Sequence, residues 1–260
     1  MNMKQVRTFA LLAALLMTAV PAVALIWSQP DGNGHPYVGL VVFDVGGTPS
    51  HRCSGALISP TVFLTAGHCT DGTDAARVWF ESSIQDPEYP FGGGTSVEGT
   101  PHTHPAFNTG FPNTSDVGVV ILDVPVNMAV YGQLAQPGAL NGLDRRRGHQ
   151  NQLFTLVGYG DQAIVPFPVS LLVRFRATPQ LVELGSANTG GFNIHLSSNP
   201  GLPHPGGLCF GDSGGPALIG NTNVVAGVGS FVLNTNCTGA GFYYRTDTSH
   251  AHQFLSTFLD

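Results

Sequence analysis

The sequence predicts an all-β fold closed by a short C-terminal helix. Three observations carry that expectation. Apolar runs of about 5–8 residues recur between turns built from Gly, Pro, Asn and Asp, as strands joined by tight connections do. In "SDVGVVIL" a polar entry is followed by Val117, Val119, Val120, Ile121 and Leu122, which reads as a buried strand with Asp116 at its mouth. Helical periodicity is scarce until Thr246. From there Ala251, Phe254, Leu255, Phe258 and Leu259 recur at helical spacing, with Asp247 or Thr248 as the cap.

From the N-terminus, Lys4 and Arg7 precede an apolar run from Phe9 to Val20, and Ala22-Val23-Ala24 offers small residues at a cleavage point. Residues 1–24 are therefore expected to be an export signal. The rival is a retained anchor continuing to Trp27, against which Pro21 and the Ala-Val-Ala triplet argue. No other stretch approaches membrane-spanning length. Removing Lys4 and Arg7 takes the net charge from −6 to −8, and Lys4 is the chain's lysine in full. An acidic mature chain without lysine argues against nucleic acid or an anionic membrane as a partner. The segment 81–99 is rich in breakers and reads as a surface loop, without the regular oxygen-ligand spacing of a calcium loop. Arg145-Arg146-Arg147 lies among turn formers and reads as a solvated connector, with a processing or nicking site as the alternative.

Four cysteines in an exported chain imply disulfides, with three possible connectivities. No Cys-x-x-Cys spacing exists, and His102-x-His104 and His250-x-His252 stand as isolated surface pairs. No metal and no cofactor are expected.

The chemistry concentrates in "CFGDSGGPAL" (209–218) and "TAGHC" (65–69). A serine hydroxyl becomes a useful nucleophile when an imidazole removes its proton and preset donors stabilise the oxyanion. Ser213 and His68 fit those roles. Gly211 and Gly214 carry no side chain, so the N–H groups of Gly211 and Ser213 are free to approach a substrate carbonyl. A carboxylate at Asp116 suits the task of holding the His68 tautomer. Asp212, beside the nucleophile, would need a cationic partner if buried. In so glycine-rich a chain Gly-Asp-Ser-Gly-Gly could be a plain turn cluster, and the upstream Ala-Gly-His-Cys is what argues for function.

These segments, in the order His, Asp, Ser, resemble the trypsin/chymotrypsin-like serine peptidases. The resemblance extends to "HPYVGLVVF" (35–43), "CSGALISPTVFLTAGHC" (53–69), "HPAFN" (104–108), "VVAGVGSFV" (224–232) and "GFYYR" (241–245). It also covers "LVGYG" (156–160), with Tyr159 where that family usually has Trp. It spans about residues 35–259. It implies two packed antiparallel six-stranded β-barrels within a peptidase domain over 25–260. The barrels would occupy about 35–135 and about 150–245, with the helix at about 247–259. It implies the pairings Cys53–Cys69 and Cys209–Cys237, and a primary pocket with Gly207 at its base. Ser230, Phe231, Val232 and Gly241 would form the walls. With no carboxylate at 207, a Lys or Arg side chain would be left unpaired, so cleavage after apolar small-to-medium residues is expected. Val232, where many relatives have Gly, would narrow the entrance, and Ser230 to Val232 would bind substrate as an added strand.

Two departures stand out. The Ile-Val-Gly-Gly start is absent, and counting back places the matching start near Ala24 or Leu25. Export processing is thus expected to expose Leu25-Ile26 as an activating N-terminus whose ammonium pairs with Asp212. A third disulfide common in relatives, somewhere in 170–190, is also absent. The expected protein is a secreted, monomeric serine endopeptidase acting on proteins or peptides, with no nucleic acid or membrane partner after signal removal. The alternatives are a catalytically silent binding protein of the same fold and a membrane-tethered or structural protein. Silent relatives typically lose a triad residue, and here all three are present.

Overall fold

Strands rich in Val, Leu, Ile and Phe build the first half of the molecule. The structure, a computed structural model, describes residues 25–144, 151–164 and 166–259. The expected export signal and the Arg145–Arg147 cluster lie outside the described residues. A short strand β1 (Gln29–Pro30) precedes β2 (Val38–Val45), β3 (Thr48–Leu57), β4 (Val62–Thr65), β5 (Ala75–Trp79), β6 (Val97–Thr103) and β7 (Gly118–Leu122). These six close into a barrel in the order β2-β3-β4-β7-β6-β5. Seven of the eight β2 residues are buried, because the strand is covered by the barrel interior on one face and by the second sheet or loops on the other. Its register places Val41 between Cys53 and Val78.

The second half comprises β8 (Gln133–Leu134), β9 (Phe154–Gly158), β10 (Phe175–Ala177), β11 (Leu181–Glu183), β12 (Asn193–Ser198), β13 (Pro216–Ile219), β14 (Val224–Val232) and β15 (Gly239–Arg245). Here the expected second barrel takes the form of a half-barrel. The strands form one nine-stranded sheet in the order β1-β10-β9-β13-β14-β15-β12-β11, with β8 joined to β14. The physical reason lies between β10 and β11. Pro179 has no N–H to continue a ladder, and its carbonyl accepts from Phe154 N (3.0 Å) while Leu153 and Gln180 form an isolated bridge. The free edge of β10 is taken by β1, in the register Gln29–Arg176. The barrel is thus half closed by a bridge instead of a continuous strand pair.

One hydrophobic core fills the first barrel and runs on through Val157, Tyr159, Leu218, Val228 and Tyr244 of the second sheet, which joins the two halves. A second core gathers Leu25, Leu156, Ile194, Leu196, Leu208 and Tyr243. Between the halves the guanidinium of Arg174 is fully buried. It donates to Asp31 Oδ2 (3.1 Å), the Val38 carbonyl (2.9 Å), the Phe80 carbonyl (3.0 Å) and the Gly32 carbonyl (2.8 Å). A buried cation is tolerated when a carboxylate and several carbonyls surround it in this way. Tyr159 OH accepts from the same guanidinium (3.2 Å) and donates to the Glu81 carbonyl (2.7 Å), a role no indole ring could fill.

A single helical turn, α1 (Gly67–Thr70), follows β4, and α2 (Ser249–Leu255) closes the chain. Of the two expected caps, Thr248 serves: its Oγ1 accepts from Ala251 N (3.2 Å). Asp247 pairs with Arg245 instead (2.8 Å). The histidine pairs are not isolated at the surface. The His104 ring is buried and meets His250 at a centroid distance of 4.3 Å, because α2 packs beside the entry to β7.

Candidate active site

The disulfides Cys53–Cys69 and Cys209–Cys237 are both formed. The first ties α1 to β3, which fixes the turn carrying His68. Gly67 precedes it because an added Cβ would lie 2.9 Å from the Phe107 ring and 3.1 Å from Val117 N. Asp116 stands one residue before Val117 at the mouth of β7. Ser115 adopts φ 48°, and Val117 N donates to its carbonyl (2.8 Å), a tight turn that swings the acid inward.

Asp116 is 3% exposed and its two oxygens are both engaged. Oδ1 accepts from His68 N (2.7 Å), and Oδ2 meets His68 Nδ1 (2.9 Å). Ser230 Oγ donates to the same Oδ2 (2.5 Å). A carboxylate facing Nδ1 keeps the proton on that nitrogen and leaves the Nε2 lone pair free to accept a proton. Burial works to lower the His68 pKa; the charge of Asp116 and its hydrogen bond oppose this and leave it raised above 6.5. Ser230 reaches Asp116 because the register of β14 against β15 shifts between Gly229 and Phe231, and a bulge there re-aims the side chain.

The loop carrying Ser213 is held by three hydrogen bonds. Ser54 N donates to the Ser213 carbonyl (2.8 Å), and Ser54 Oγ donates to the Gly211 carbonyl (2.8 Å). Gly214 N donates to the Gly229 carbonyl (2.8 Å), which links the loop to the residue before Ser230. Gly214 lies against the approach to His68. At φ 77°, an added Cβ would fall 2.0 Å from Thr65 Oγ1 and 2.8 Å from Ala66 N. Gly211, at φ 89°, likewise needs the left-handed region. Neither Gly211 N nor Ser213 N has an acceptor among the described residues, which leaves both free for an oxyanion. No hydrogen bond joins Ser213 Oγ to His68 among the described residues; backbone contacts bring their segments together.

Asp212 is buried, with Oδ1 accepting from Gly160 N (2.8 Å) and Oδ2 from Cys209 N (3.0 Å). Burial pushes its pKa up to about 8, only partly offset by those two N–H groups. The expected cation is not paired with it among the described residues. Leu25 is nevertheless buried in the second core, and Gly207 N donates to the Ile26 carbonyl (3.2 Å), so this segment runs beside the nucleophile loop.

The remaining expected site residues gather nearby. Ser230, Phe231 and Val232 end β14, and Val232 pairs with Gly241 of β15. Beyond Val228 the opposite edge of β14 has no partner strand among the described residues. Three features had not been expected. Ser54 braces the nucleophile loop, for which "Cys-Ser-Gly" carries no signal. Phe111, 58% exposed, meets Phe231 edge-on at 4.5 Å, and Phe231 stacks on Phe242 at 4.5 Å. Ser198 lies under Gly207. Cys53, His68 and Cys69 place donor atoms within 4.8 Å, yet both sulfurs are spent in the disulfide, so the group offers no thiolate to a metal.

The family profile described as Trypsin matches residues 28–252. The chain is 25% identical over 245 residues to "Serine protease Hayan" of Drosophila melanogaster, covering 88% of this chain and 37% of that protein. It therefore spans little more than a third of that relative. It is 28% identical over 193 residues to "Collagenase" of Hypoderma lineatum, covering 71% of this chain and 67% of the collagenase. The solved structure of HL collagenase superposes with a TM-score of 0.71 at 20% identity, covering 90% of this chain and 99% of that one, which shows a shared fold.

Proposed function

The chain belongs to the trypsin family, and from that premise we propose that it is a secreted serine endopeptidase working through His68, Asp116 and Ser213. The observation that carries this reading is the Asp116 carboxylate, which binds His68 through both N and Nδ1 while Ser230 holds it from the far side. Ser213 Oγ attacks the scissile carbonyl and its proton passes to His68 Nε2. The oxyanion meets the N–H groups of Gly211 and Ser213. His68 then returns the proton to the leaving amine, leaving an acyl-enzyme ester on Ser213 that water hydrolyses by the same route. Substrate would lie along the free edge at Ser230 to Val232.

The side chain before the scissile bond would enter between Gly207, Val232 and Gly241. The absence of a carboxylate at 207 supports an apolar small-to-medium residue there over Lys or Arg. Activation would follow removal of residues 1–24. The burial of Leu25, the Ile26–Gly207 bridge and a buried Asp212 without a cationic partner among the described residues support a new Leu25 ammonium as its partner. Two disulfides fit an oxidising compartment, and among the described residues no helix is long and apolar enough to cross a membrane. The reading includes a monomer that needs no cofactor.

Cleavage of a peptide library by the chain beginning at Leu25, with Ser213→Ala as control, tests the reading. Internal cleavage after apolar small-to-medium residues, absent in the control, is expected. Cleavage confined to Lys and Arg would overturn the pocket assignment, and cleavage that persists in the control would overturn the triad.

A further inference from the structure

Asp116 is bracketed by two histidines that take no part in the proton transfer described above. On one side stands Ser115, whose buried hydroxyl meets His250 Nδ1 of α2 (3.3 Å). On the other stands Val117, whose carbonyl accepts from His104 N (3.1 Å). The two rings meet at a centroid distance of 4.3 Å, and Phe254 packs on His104 at 4.9 Å, so α2 closes over the turn that aims the acid. The His104 ring is 3% exposed, and its Nδ1 accepts from Ala106 N (3.1 Å). That bond selects a tautomer: Nδ1 offers its lone pair, and the ring proton sits on Nε2. A second proton can enter only at Nδ1, where it would meet the Ala106 N–H donor to donor. His250 differs, since the Ser115 hydroxyl can donate to a neutral Nδ1 or accept from a charged one. His104 is therefore the ring whose charging this arrangement does not accommodate.

We propose that His104 and His250 are positioning residues for Asp116: while neutral they hold Val117 and Ser115 and keep the acid on His68, and a proton on His104 releases that hold. The inference rests on the peptidase reading above and deepens it. The surroundings leave a charged His104 without compensation. From α2 it faces His250, a like charge when protonated. At the entry to β7 the Asp116 carboxylate is engaged by His68 and Ser230. From β15, Tyr244 OH donates to Asn113 Oδ1 (3.1 Å), and His102 of β6 packs on Phe258 at 5.2 Å. Among the described residues the histidines in ion pairs are His35, His68 and His195, and neither ring of this pair. Burial, and then the charge of His250, hold the His104 pKa below 6.5, against a hydrogen bond to the His250 backbone that raises it. His68 is shifted the other way. The bracket thus stays closed while His68 titrates and opens at lower pH.

The pH profile of kcat/KM for the unaltered chain and for His104→Asn tests this. Asn keeps a side-chain acceptor for Ala106 N and does not titrate. The His68 limb falls about tenfold per pH unit, and in the unaltered chain it should steepen towards about a hundredfold per unit as the second group takes its proton. In His104→Asn the slope should stay near tenfold throughout. Equal slopes in the two would overturn the proposal. His250→Phe supplies a second reading whether or not His104→Asn folds: it keeps a ring against His104 and removes the bond to Ser115. Its kcat should fall about three- to tenfold, the size of one neutral hydrogen bond, with KM unchanged, and His250→Asn, which restores an acceptor, should recover it. A residue serving only the fold would lower the yield of folded protein and leave its kcat unaltered, which would also overturn the proposal. Urea midpoints in a Ser213→Ala background need no activity. The unfolded chain binds the His104 proton first, so stability should decline as pH falls below about 6.5, and His104→Asn should flatten that decline. Parallel curves would contradict the release. A chain that cleaves nothing at any pH overturns the peptidase reading and the inference with it; cleavage with equal slopes overturns the inference alone.

Discussion

Ser230 Oγ donates to Asp116 Oδ2, the oxygen that also meets His68 Nδ1. The preceding residue, Gly229, accepts from Gly214 N (2.8 Å), so one bulge in β14 connects the acid to the nucleophile loop. A change at the bulge is felt on both sides of the site.

Ser230→Ala removes a hydrogen bond to a buried carboxylate, an interaction of about 1.5–3 kcal/mol when one partner is charged. Turnover is expected to fall at least roughly tenfold, with kcat affected more than KM. Steady-state kinetics on folded protein check this. Unaltered kcat would remove Ser230 from the positioning of Asp116.

His68 is a base only when neutral, and its pKa is raised above the ordinary value. The acid limb of kcat/KM is therefore expected at a midpoint above about 6.5, falling about tenfold per pH unit below it. Asp116→Asn removes both raising contributions and leaves burial, so the midpoint should move down while the rate drops by about 10⁴-fold. A pH–rate profile gives both values. Full activity at pH 4.5 would exclude His68 as the base.

Asp212 carries the opposite sign from an ordinary surface carboxylate. Its folded pKa of about 8 stands above the unfolded value, so the folded chain holds an extra proton between the two. Stability is full below the unfolded value near about 4 and is lost as pH rises towards 8. In the chain beginning at Leu25 the ammonium should pair with the carboxylate and flatten this decline. An alkaline fall in activity should appear as that amine loses its proton, and acetylating the amine should move it. Urea midpoints across pH 4.5–8.5 for the long and short chains, with Asp212→Asn as reference, read the effect. Identical slopes in the two chains would contradict the pairing.

Gly214→Ala forces a methyl within 2.0 Å of Thr65 Oγ1 at φ 77°. A loss of about 2–4 kcal/mol in stability, with turnover abolished, is expected. Chemical denaturation would measure it, and a stable, active variant would mean that the loop does not pack on the His68 approach.

The His68–Asp116 pair of the proposed triad was legible because each member, like Ser213, sits in a local pattern: a His behind small residues, an acid before a run of Val and Ile, a Ser among glycines. The first barrel followed from the same local alternation. Closure of the second sheet did not, since it depends on which distant strand reaches β10 and on Pro179 interrupting the ladder. Ser54 and Ser198 were invisible for a related reason. Ser54 meets Gly211 at a sequence separation of 157, and no short-range pattern encodes such a meeting. Arg174 and Tyr159 likewise find each other only when the two halves pack.

The central claim is that Ser213 is an activated nucleophile. Treating the chain beginning at Leu25 with an organophosphonate-type serine probe, and locating the adduct by peptide mass mapping, tests it most directly. The account predicts stoichiometric modification at Ser213, lost in Ser213→Ala and slowed by roughly 10⁴-fold in Asp116→Asn. An unlabelled Ser213 in folded protein, or labelling indifferent to Asp116, would contradict it.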